Sequence, residues 1–282
     1  MSATPGAGAT ATARWRDALE ALRIPDPILE AAPEPPWGFP TELFRRRAAA
    51  AVSHEVTPTT ARAAEVLPAG GSVLDVGCGG GATSLPLVPP AGVLIGVDGQ
   101  ADMLEAFRSA AGAAGAQVRT VHGPWPEVAP EAGDADVVVC GHVLYNVAEA
   151  APFVEALGRH ARRRVTLELT ERHPLAWTTD LWEHFHGIER SEGPTADDAV
   201  ALLHEIGLTP QREHLDVSDE HPAGGGFDRR EDAVALVRRR LCLPASRDDE
   251  VADALGDRLR EHDGLWSAGP PAQRLVTLWW DV

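Results

Sequence analysis

The chain has 282 residues, a length that suits one large α/β domain with appended helices. Its 42 acidic and 25 basic residues give a formal net charge of −17, which argues against a nucleic-acid-binding protein because such a protein must neutralise phosphates. All 25 basic residues are arginine, so pyridoxal Schiff-base chemistry, a P-loop lysine and a lysine general base are excluded.

The first 67 residues are predicted to be a tail followed by a helical region that prolines interrupt. Residues 1–13 have neither a basic start nor an apolar stretch, so we expect a disordered tail and no signal peptide. Residues 14–67 contain an amphipathic helix over 14–22, six prolines between residues 25 and 40, and two further helices. We expect this region to form a lid.

From Ser72 onward, short apolar strands alternate with helical segments, which predicts βαβ units and a parallel sheet. Strands are predicted over 72–77, 93–98, 117–121, 135–141 and 164–170. Helices are predicted between them, over 80–88, 100–114 and 148–160. The continuous valines at 137–139 are typical of a strand that is buried on both faces.

The remainder of the chain is predicted to add helices and two more strands. A helix over 174–188 precedes a helix that Thr195 caps and Gly207 closes. A polar strand is predicted next, followed by two helices and a final strand, over 208–217, 229–241, 246–260 and 273–282. Aromatic residues of the two lid candidates are expected to contact a substrate or to anchor these segments: Trp37, Phe39, Trp177 and Trp182.

The strongest motif is the glycine-rich segment from Val73 to Thr83. A predicted strand runs into Gly77 and Gly79, where the backbone can turn sharply and approach a ligand closely. Asp98 ends the next strand, and a carboxylate at that place can accept hydrogen bonds from both hydroxyls of a ribose. This pattern indicates a nucleotide-cofactor site.

Two cofactors fit the glycine-rich segment. Gly77, Gly79 and Ala82 satisfy the dinucleotide pattern G-x-G-x-x-A, so a nicotinamide cofactor is one alternative. Asp75 favours a cationic ligand instead, because its carboxylate would repel a pyrophosphate and attract a sulfonium or an amino group. The segment also has no arginine to receive a phosphate.

On these residues the chain resembles the class I S-adenosylmethionine-dependent methyltransferases, and most of all their small-molecule branch. The resemblance covers about residues 65–282 and is carried by Asp75 to Gly81, by Gly96 to Met103 and by Asp136 to Asn146. It implies a Rossmann-like α/β fold whose seven-stranded sheet has the order 3-2-1-4-5-7-6, with the last strand antiparallel. Residues 68–282 would form this domain, behind the helical N-terminal lid.

The resemblance also implies S-adenosyl-L-methionine as the cofactor and assigns residues to it. In this family an acidic residue after the third strand commonly binds the adenine, but here that place reads His122 to Trp125, so Trp125 is expected to stack on the adenine or to anchor its loop. The cofactor-binding candidates are Asp75, Gly77, Cys78, Gly79, Asp98, Gly99, Met103, Pro124, Trp125, Gly141 and His142.

Residues at the carboxyl ends of the fourth and fifth strands are candidates for the chemistry, because an open α/β sheet binds its ligand there. His142 is the candidate general base, since a neutral imidazole can take a proton from a hydroxyl or an amine; a structural hydrogen bond is the alternative. Tyr145 could line the pocket of the cationic donor or pack in the core. Asn146 is a candidate substrate ligand or a helix cap.

Glu168 is unusual because it lies within an apolar strand, where a carboxylate is costly unless it is paired. It is expected to bind an arginine or histidine structurally, or to orient a catalytic histidine. Glu171 and His173 lie further along the chain and are second candidates for the catalytic base.

These patterns favour a methyltransferase of class EC 2.1.1 that methylates an oxygen or nitrogen of a small molecule by in-line displacement. A nicotinamide-dependent oxidoreductase and a non-catalytic adenosylmethionine-binding partner protein are the alternatives. Three cysteines without a CxxC spacing favour a cytoplasmic protein, and the histidine spacings give no reason to expect a metal. We expect no nucleic-acid or membrane partner, and a homodimer is left open.

Overall fold

A seven-stranded sheet runs through the protein, in a computed structural model that describes residues 9–37, 41–53, 56–218, 226–270 and 272–282. Its strands are β1 Ser72–Val76, β2 Val93–Asp98, β3 Gln117–His122, β4 Ala135–Gly141, β5 Ala161–Thr170, β6 Gln211–Ser218 and β9 Ala272–Asp281. The strand order is β3-β2-β1-β4-β5-β9-β6, and β9 is antiparallel to both of its neighbours. Counted within this sheet alone, the order is 3-2-1-4-5-7-6, which confirms the predicted fold class.

Helices cover both faces of the sheet, and another group of helices forms a cap. The helices are α1 Ala11–Glu20, α2 Asp26–Ala31, α3 Thr41–Ser53, α4 Pro58–Ala64, α5 Ala101–Ala113, α6 Ala129–Ala132, α7 Ala150–His160, α8 Thr179–His186, α9 Ala196–Glu205, α10 Arg230–Arg240 and α11 Asp248–Leu255. Thr195 caps α9 in a reciprocal capping box with Asp198, as the sequence predicted for its N-terminus.

Alternate residues of β1 pack against opposite layers of helices. Leu74 and Val76 join an apolar cluster that includes Trp15 of α1 and residues of α7 and α9. Val73 joins a second cluster, with residues of α3, α4 and α5. Both faces of the strand are buried, so its residues are apolar apart from Ser72 and Asp75, and it ends in the glycine loop at the edge of the sheet.

The cap has an apolar cluster of its own, formed by residues of α2, α8, α10 and α11. It also contains a hairpin, β7 Leu259–His262 and β8 Leu265–Ala268, where a helix over 246–260 was predicted. That helix prediction is wrong beyond Leu255. Asp263 and Gly264 both have positive φ, 51° and 78°, so this Asp-Gly pair forms the two-residue turn of the hairpin.

Two other local predictions are corrected. The helix predicted over 80–88 is only a short 3-10 turn at Leu85–Leu87, because Pro86, Pro89 and Pro90 lack the N–H groups that would extend it. The predicted disordered tail is wrong for its last residues, since α1 already begins at Ala11. Among the helices of the described residues, none combines the length and the apolarity that a membrane crossing requires.

Candidate functional site

The glycine loop follows β1 directly and is fixed to the end of β2. The backbone N–H groups of Gly77 and Cys78 donate to the carbonyl oxygen of Val97, at 2.8 and 3.0 Å. Gly77 and Gly79 have φ of +71° and +49°, which a side chain disfavours. A β-carbon on residue 77 would also lie 2.3 Å from Cγ2 of Val143, so this turn needs glycine. The loop leaves a backbone cradle at the carboxyl edge of the sheet.

Asp98 closes the glycine loop from the end of β2. Its Oδ2 accepts a hydrogen bond from the N–H of Gly79, and its Oδ1 accepts one from the N–H of Gln100, each at 2.9 Å. A carboxylate oxygen has two lone pairs, so each oxygen can also accept a hydrogen bond from a ligand hydroxyl. The side chain therefore stabilises the loop and offers two acceptors at the same place.

Asp75 lies beneath the loop and does not line the crevice. Its side chain is 1% exposed, and its Oδ2 accepts a hydrogen bond from the hydroxyl of Ser84 at 2.5 Å. Burial raises the pKa of Asp75 to about 7; the Ser84 hydrogen bond opposes this rise, and the nearby charge of Asp98 adds to it. Its burial leaves no exposed surface for the direct ligand contact that the sequence also allowed.

His142 and Glu168 form a pair at the ends of β4 and β5. The Nε2 of His142 lies 3.0 Å from Oε1 of Glu168, and the backbone N–H of His142 donates to the Glu168 carbonyl at 2.8 Å. His142 has φ of +59°, a strained conformation for a residue with a side chain, and its side chain is 46% exposed. The structure therefore joins two residues that the sequence singled out separately.

The other oxygen of Glu168 is bound by a residue that the sequence analysis missed. The hydroxyl of Thr59, on α4, donates to Oε2 of Glu168 at 2.6 Å and lies 2.7 Å from the hydroxyl of Thr277 on β9. No pattern marks Thr59 in the sequence. Thr277 had a detectable signal, because it is a polar residue within an apolar strand and pairs directly with Glu168.

The prediction that Tyr145 lines the donor pocket is wrong. Its ring stacks on Trp15 with the centroids 5.6 Å apart, and its hydroxyl donates to the Thr170 carbonyl at 2.6 Å. Only 3% of the residue is exposed. Asn146 is exposed, and its amide donates to the Val143 carbonyl at 3.2 Å; its role in substrate binding stays a prediction.

Neither alternative base has the environment expected of one. Burial lowers the pKa of His173 to about 4, and its Nδ1 accepts the N–H of Leu175 at 3.1 Å, so it is a weak base at neutral pH. Glu171 lies 3.2 Å from Arg274 in a surface ion pair. Of the three candidates, His142 combines a side chain that is 46% exposed with a ring nitrogen, Nδ1, that bonds to none of the residues the structure describes.

Trp125 is anchored in the core. Its indole N–H donates to the Phe153 carbonyl of α7 at 3.2 Å, and its ring meets His160 edge to face. These contacts agree with the anchoring alternative, and stacking on the adenine stays a prediction. Pro124, next to it, is exposed, and its contact with the cofactor stays a prediction.

The remaining cofactor candidates lie around the loop with different exposure. Met103 on α5 and Cys78 are buried, and Gly99 is exposed beside Asp98. Gly141 lies close to Thr83, whose hydroxyl would be 2.4 Å from a β-carbon at that position. Direct cofactor contact by these four residues stays a prediction.

The aromatic residues predicted to contact a substrate differ in how far they are buried. Trp182 is buried in the cap cluster beneath the guanidinium of Arg190, so its predicted substrate contact is wrong. Trp177 is half-buried beneath Arg258, and Trp37 is 54% exposed. Phe39 lies outside the described residues.

Helix α3 connects the glycine loop with a cavity on the side of the cap. Phe44 of α3 would touch a β-carbon on Gly79, at 3.2 Å. The adjacent Leu43 and the nearby Arg46 line a cavity of about 360 Å³ between α3 and α10, together with Phe227 and Leu236. Arg46 crosses from α3 to Asp228 in a bidentate ion pair at 2.9 and 2.6 Å.

Comparison with known proteins agrees with this architecture. Residues 73–164 match a family model described as a methyltransferase domain. A search of curated proteins finds no match to the chain.

Three solved structures share the fold. A Bacillus halodurans C-125 protein assigned as a methyltransferase has 17% identity and a TM-score of 0.52, covering 80% of this chain and 98% of its own. S-adenosylmethionine-dependent methyltransferases from Geobacter sulfurreducens and Thiobacillus denitrificans, both in complex with S-adenosyl-L-homocysteine, have 16% and 18% identity. Each has a TM-score of 0.50 and covers 86% of this chain and 99% of its own. Residues 73–164 therefore match a methyltransferase domain, and the seven-stranded sheet has the fold of these S-adenosylmethionine-dependent methyltransferases.

Proposed function

We propose that the protein transfers a methyl group from S-adenosylmethionine to an oxygen or nitrogen of a small molecule. One observation carries the proposal: the Asp98-braced glycine loop and the His142–Glu168 pair lie at the carboxyl ends of four strands of one sheet, β1, β2, β4 and β5. The first element is suited to a nucleoside cofactor, and the second is suited to moving a proton.

The residues around the loop fit this donor. The loop turns at Gly77 and Gly79, where neighbouring side chains leave little room for a β-carbon, and Asp98 offers two acceptors for ribose hydroxyls. The ionised form of Asp75, whose pKa burial raises to about 7, places negative charge beneath the loop and favours a cation over a pyrophosphate. When bound, S-adenosylmethionine supplies a methyl group on a cationic sulfur, which an acceptor takes by in-line displacement.

His142 would serve as the base for an acceptor that must lose a proton. A carboxylate only accepts hydrogen bonds, so the Nε2 that faces Glu168 carries the ring proton and Nδ1 keeps its lone pair. Such a base contributes roughly 3–5 kcal/mol, whereas alignment of two reactants contributes roughly 7–11 kcal/mol. Positioning should therefore supply most of the rate.

The cavity between α3 and α10 is the candidate place for the body of the acceptor. Helix α3 carries both one wall of this cavity and the Phe44 ring that lies against Gly79. The lining combines apolar side chains with the Arg46–Asp228 pair, which suits a small molecule with an apolar body and a polar group. Leu236→Trp would fill the cavity and should raise the KM for the acceptor while the Kd for the donor stays unchanged.

The test combines binding with turnover. Calorimetric titrations should show binding of S-adenosylmethionine and S-adenosylhomocysteine, and none of NADH; the reverse result would support an oxidoreductase. Turnover on a panel of phenols, amines and carboxylates should then identify the acceptor. Donor binding with no turnover on any acceptor would leave the non-catalytic binding protein as the better account.

His142→Ala tests the assignment of the base. It should lower the rate by no more than about 10²–10⁴-fold and leave donor affinity within about threefold. The loss should shrink as the pH rises, because the acceptor then ionises unaided. Parallel pH–rate profiles of the two proteins would return His142 to a structural role.

A further inference from the structure

A chain of hydrogen bonds connects His142 with two buried threonines, on helix α4 and strand β9. It joins Thr277 of β9 to Thr59 of α4 at 2.7 Å, Thr59 to Glu168 of β5 at 2.6 Å, and Glu168 to His142 at 3.0 Å. Thr59 and Thr277 are 1% and 2% exposed, so water does not compete for these bonds.

The chemistry of the groups sets the direction of every bond in this chain. Glu168 as a carboxylate donates nothing, so the Thr59 hydroxyl must give its single proton to Oε2. The Thr277 hydroxyl must then donate to Thr59, and His142 must donate from Nε2. Both carboxylate oxygens are occupied, which fixes the plane of the carboxylate and with it the orientation of the imidazole.

The same bonds keep Glu168 ionised in a buried place. Burial alone would raise its pKa, but the hydrogen bonds from His142 and Thr59 and the attraction of His142 lower it below the ordinary value. Two cations on the neighbouring elements are paired with other carboxylates. Arg62 of α4 lies 3.2 Å from Glu213 of β6, and Arg164 of β5 binds Asp281 of β9.

We propose that Thr59 is a positioning residue, which holds Glu168 and through it presents Nδ1 of His142 to the acceptor. The inference rests on the proposed function for its catalytic meaning. It gives the N-terminal region a role in the site, because helix α4 supplies the hydroxyl that holds Glu168.

The test compares three variants of two adjacent threonines. Thr59→Val removes the donor to Glu168, and Thr59→Ser restores it. Thr60→Val is the matched control, because Thr60 lies on the same helix and its hydroxyl contacts the hydroxyl of Thr57 and not Glu168. Folding of each variant is checked by thermal unfolding before any other measurement.

Two readouts are needed, and one does not depend on turnover. Nitrogen-15 spectra of the imidazole, assigned by comparison with His142→Gln, should show the proton on Nε2 in the wild type. Without Thr59 as a donor the carboxylate charge is less compensated, so the pair should hold a proton to higher pH. The midpoint of its titration, and the acid limb of the kcat/KM profile, should both rise by about one pH unit in Thr59→Val. Thr59→Ser and Thr60→Val should match the wild type.

The outcomes separate the two proposals. Unchanged spectra and an unshifted profile in a folded Thr59→Val protein would overturn the positioning role, even if activity fell. A shift of similar size in Thr60→Val would also overturn it, because the effect would then come from the helix and not from the hydroxyl. A shifted spectrum in a protein that methylates nothing would uphold the chain and reject the proposed function.

Discussion

Replacing Asp98 by alanine should weaken the binding of S-adenosylhomocysteine at least tenfold. In the free protein the carboxylate accepts two backbone N–H groups at 2.9 Å, one of which holds Gly79 in its left-handed conformation. Hydrogen bonds to a charged acceptor contribute about 1.5–3 kcal/mol each, and this side chain is partly exposed, so water replaces part of that. Losing the equivalent of one such bond amounts to about 10- to 150-fold in affinity.

Asp136→Ala is the matched control for that experiment. Asp136 also accepts two hydrogen bonds of 2.9 Å, from the N–H and the hydroxyl of Ser72, but at the amino end of β1, away from the glycine loop. Both variants should lose stability in thermal unfolding, and only Asp98→Ala should lose affinity in calorimetry. Equal dissociation constants for wild type and a folded Asp98→Ala protein would refute the role of the carboxylate in the site.

Three further predictions follow from buried groups. The pKa of Asp75 is raised to about 7, so the folded state keeps a proton that the unfolded chain releases near pH 4. The free energy of unfolding should therefore fall as the pH rises from about 4 to about 7. Urea unfolding of Asp75→Asn should show no such decline. The same variant keeps an acceptor for Ser84 but should bind S-adenosylmethionine about tenfold more weakly, which titration at neutral pH would reveal. Tyr145→Phe removes the hydrogen bond to the Thr170 carbonyl and should lower the free energy of unfolding by about 1 kcal/mol without changing donor affinity. A loss of donor affinity in this variant would show that Tyr145 belongs to the cofactor site. Trp182→Ala should destabilise the protein by about 3–5 kcal/mol in denaturant titrations, whereas a loss below 1 kcal/mol would show that the cap does not depend on it.

Strands β1, β2 and β4 were predictable because they are buried on both faces, and because β2 ends at Asp98 and β4 at Gly141. The bounds of β2 and β4 agree with the sequence prediction to the residue. Helical periodicity was less reliable between β1 and β2, because three prolines override an apolar pattern that otherwise suits a helix. In the cap, the Asp263–Gly264 pair carried the signal for a hairpin, and the helical pattern before it was extended too far.

The candidate site was predictable where a residue's chemistry demanded a partner. A carboxylate in an apolar strand must be paired, and Glu168 is indeed paired with His142. The sequence alone did not show which aromatic rings are covered by other side chains. Trp15, which covers Tyr145, lies 130 positions away along the chain, and only the fold brings the two together. Thr59 was missed for the same reason.

The place of β9 in the sheet also has a consequence for how the protein is made. Strand β9 lies between β5 and β6, yet about a hundred residues separate it from β5 along the chain. Until the ribosome has released β9, both neighbours present unpaired edges, which are the parts of a sheet most prone to pair with another molecule. Closing so long a loop late also slows folding. Because β9 carries Thr277, the chain of hydrogen bonds behind His142 is completed by the last strand to arrive, so a molecule stalled before β9 would have the glycine loop but not the finished base.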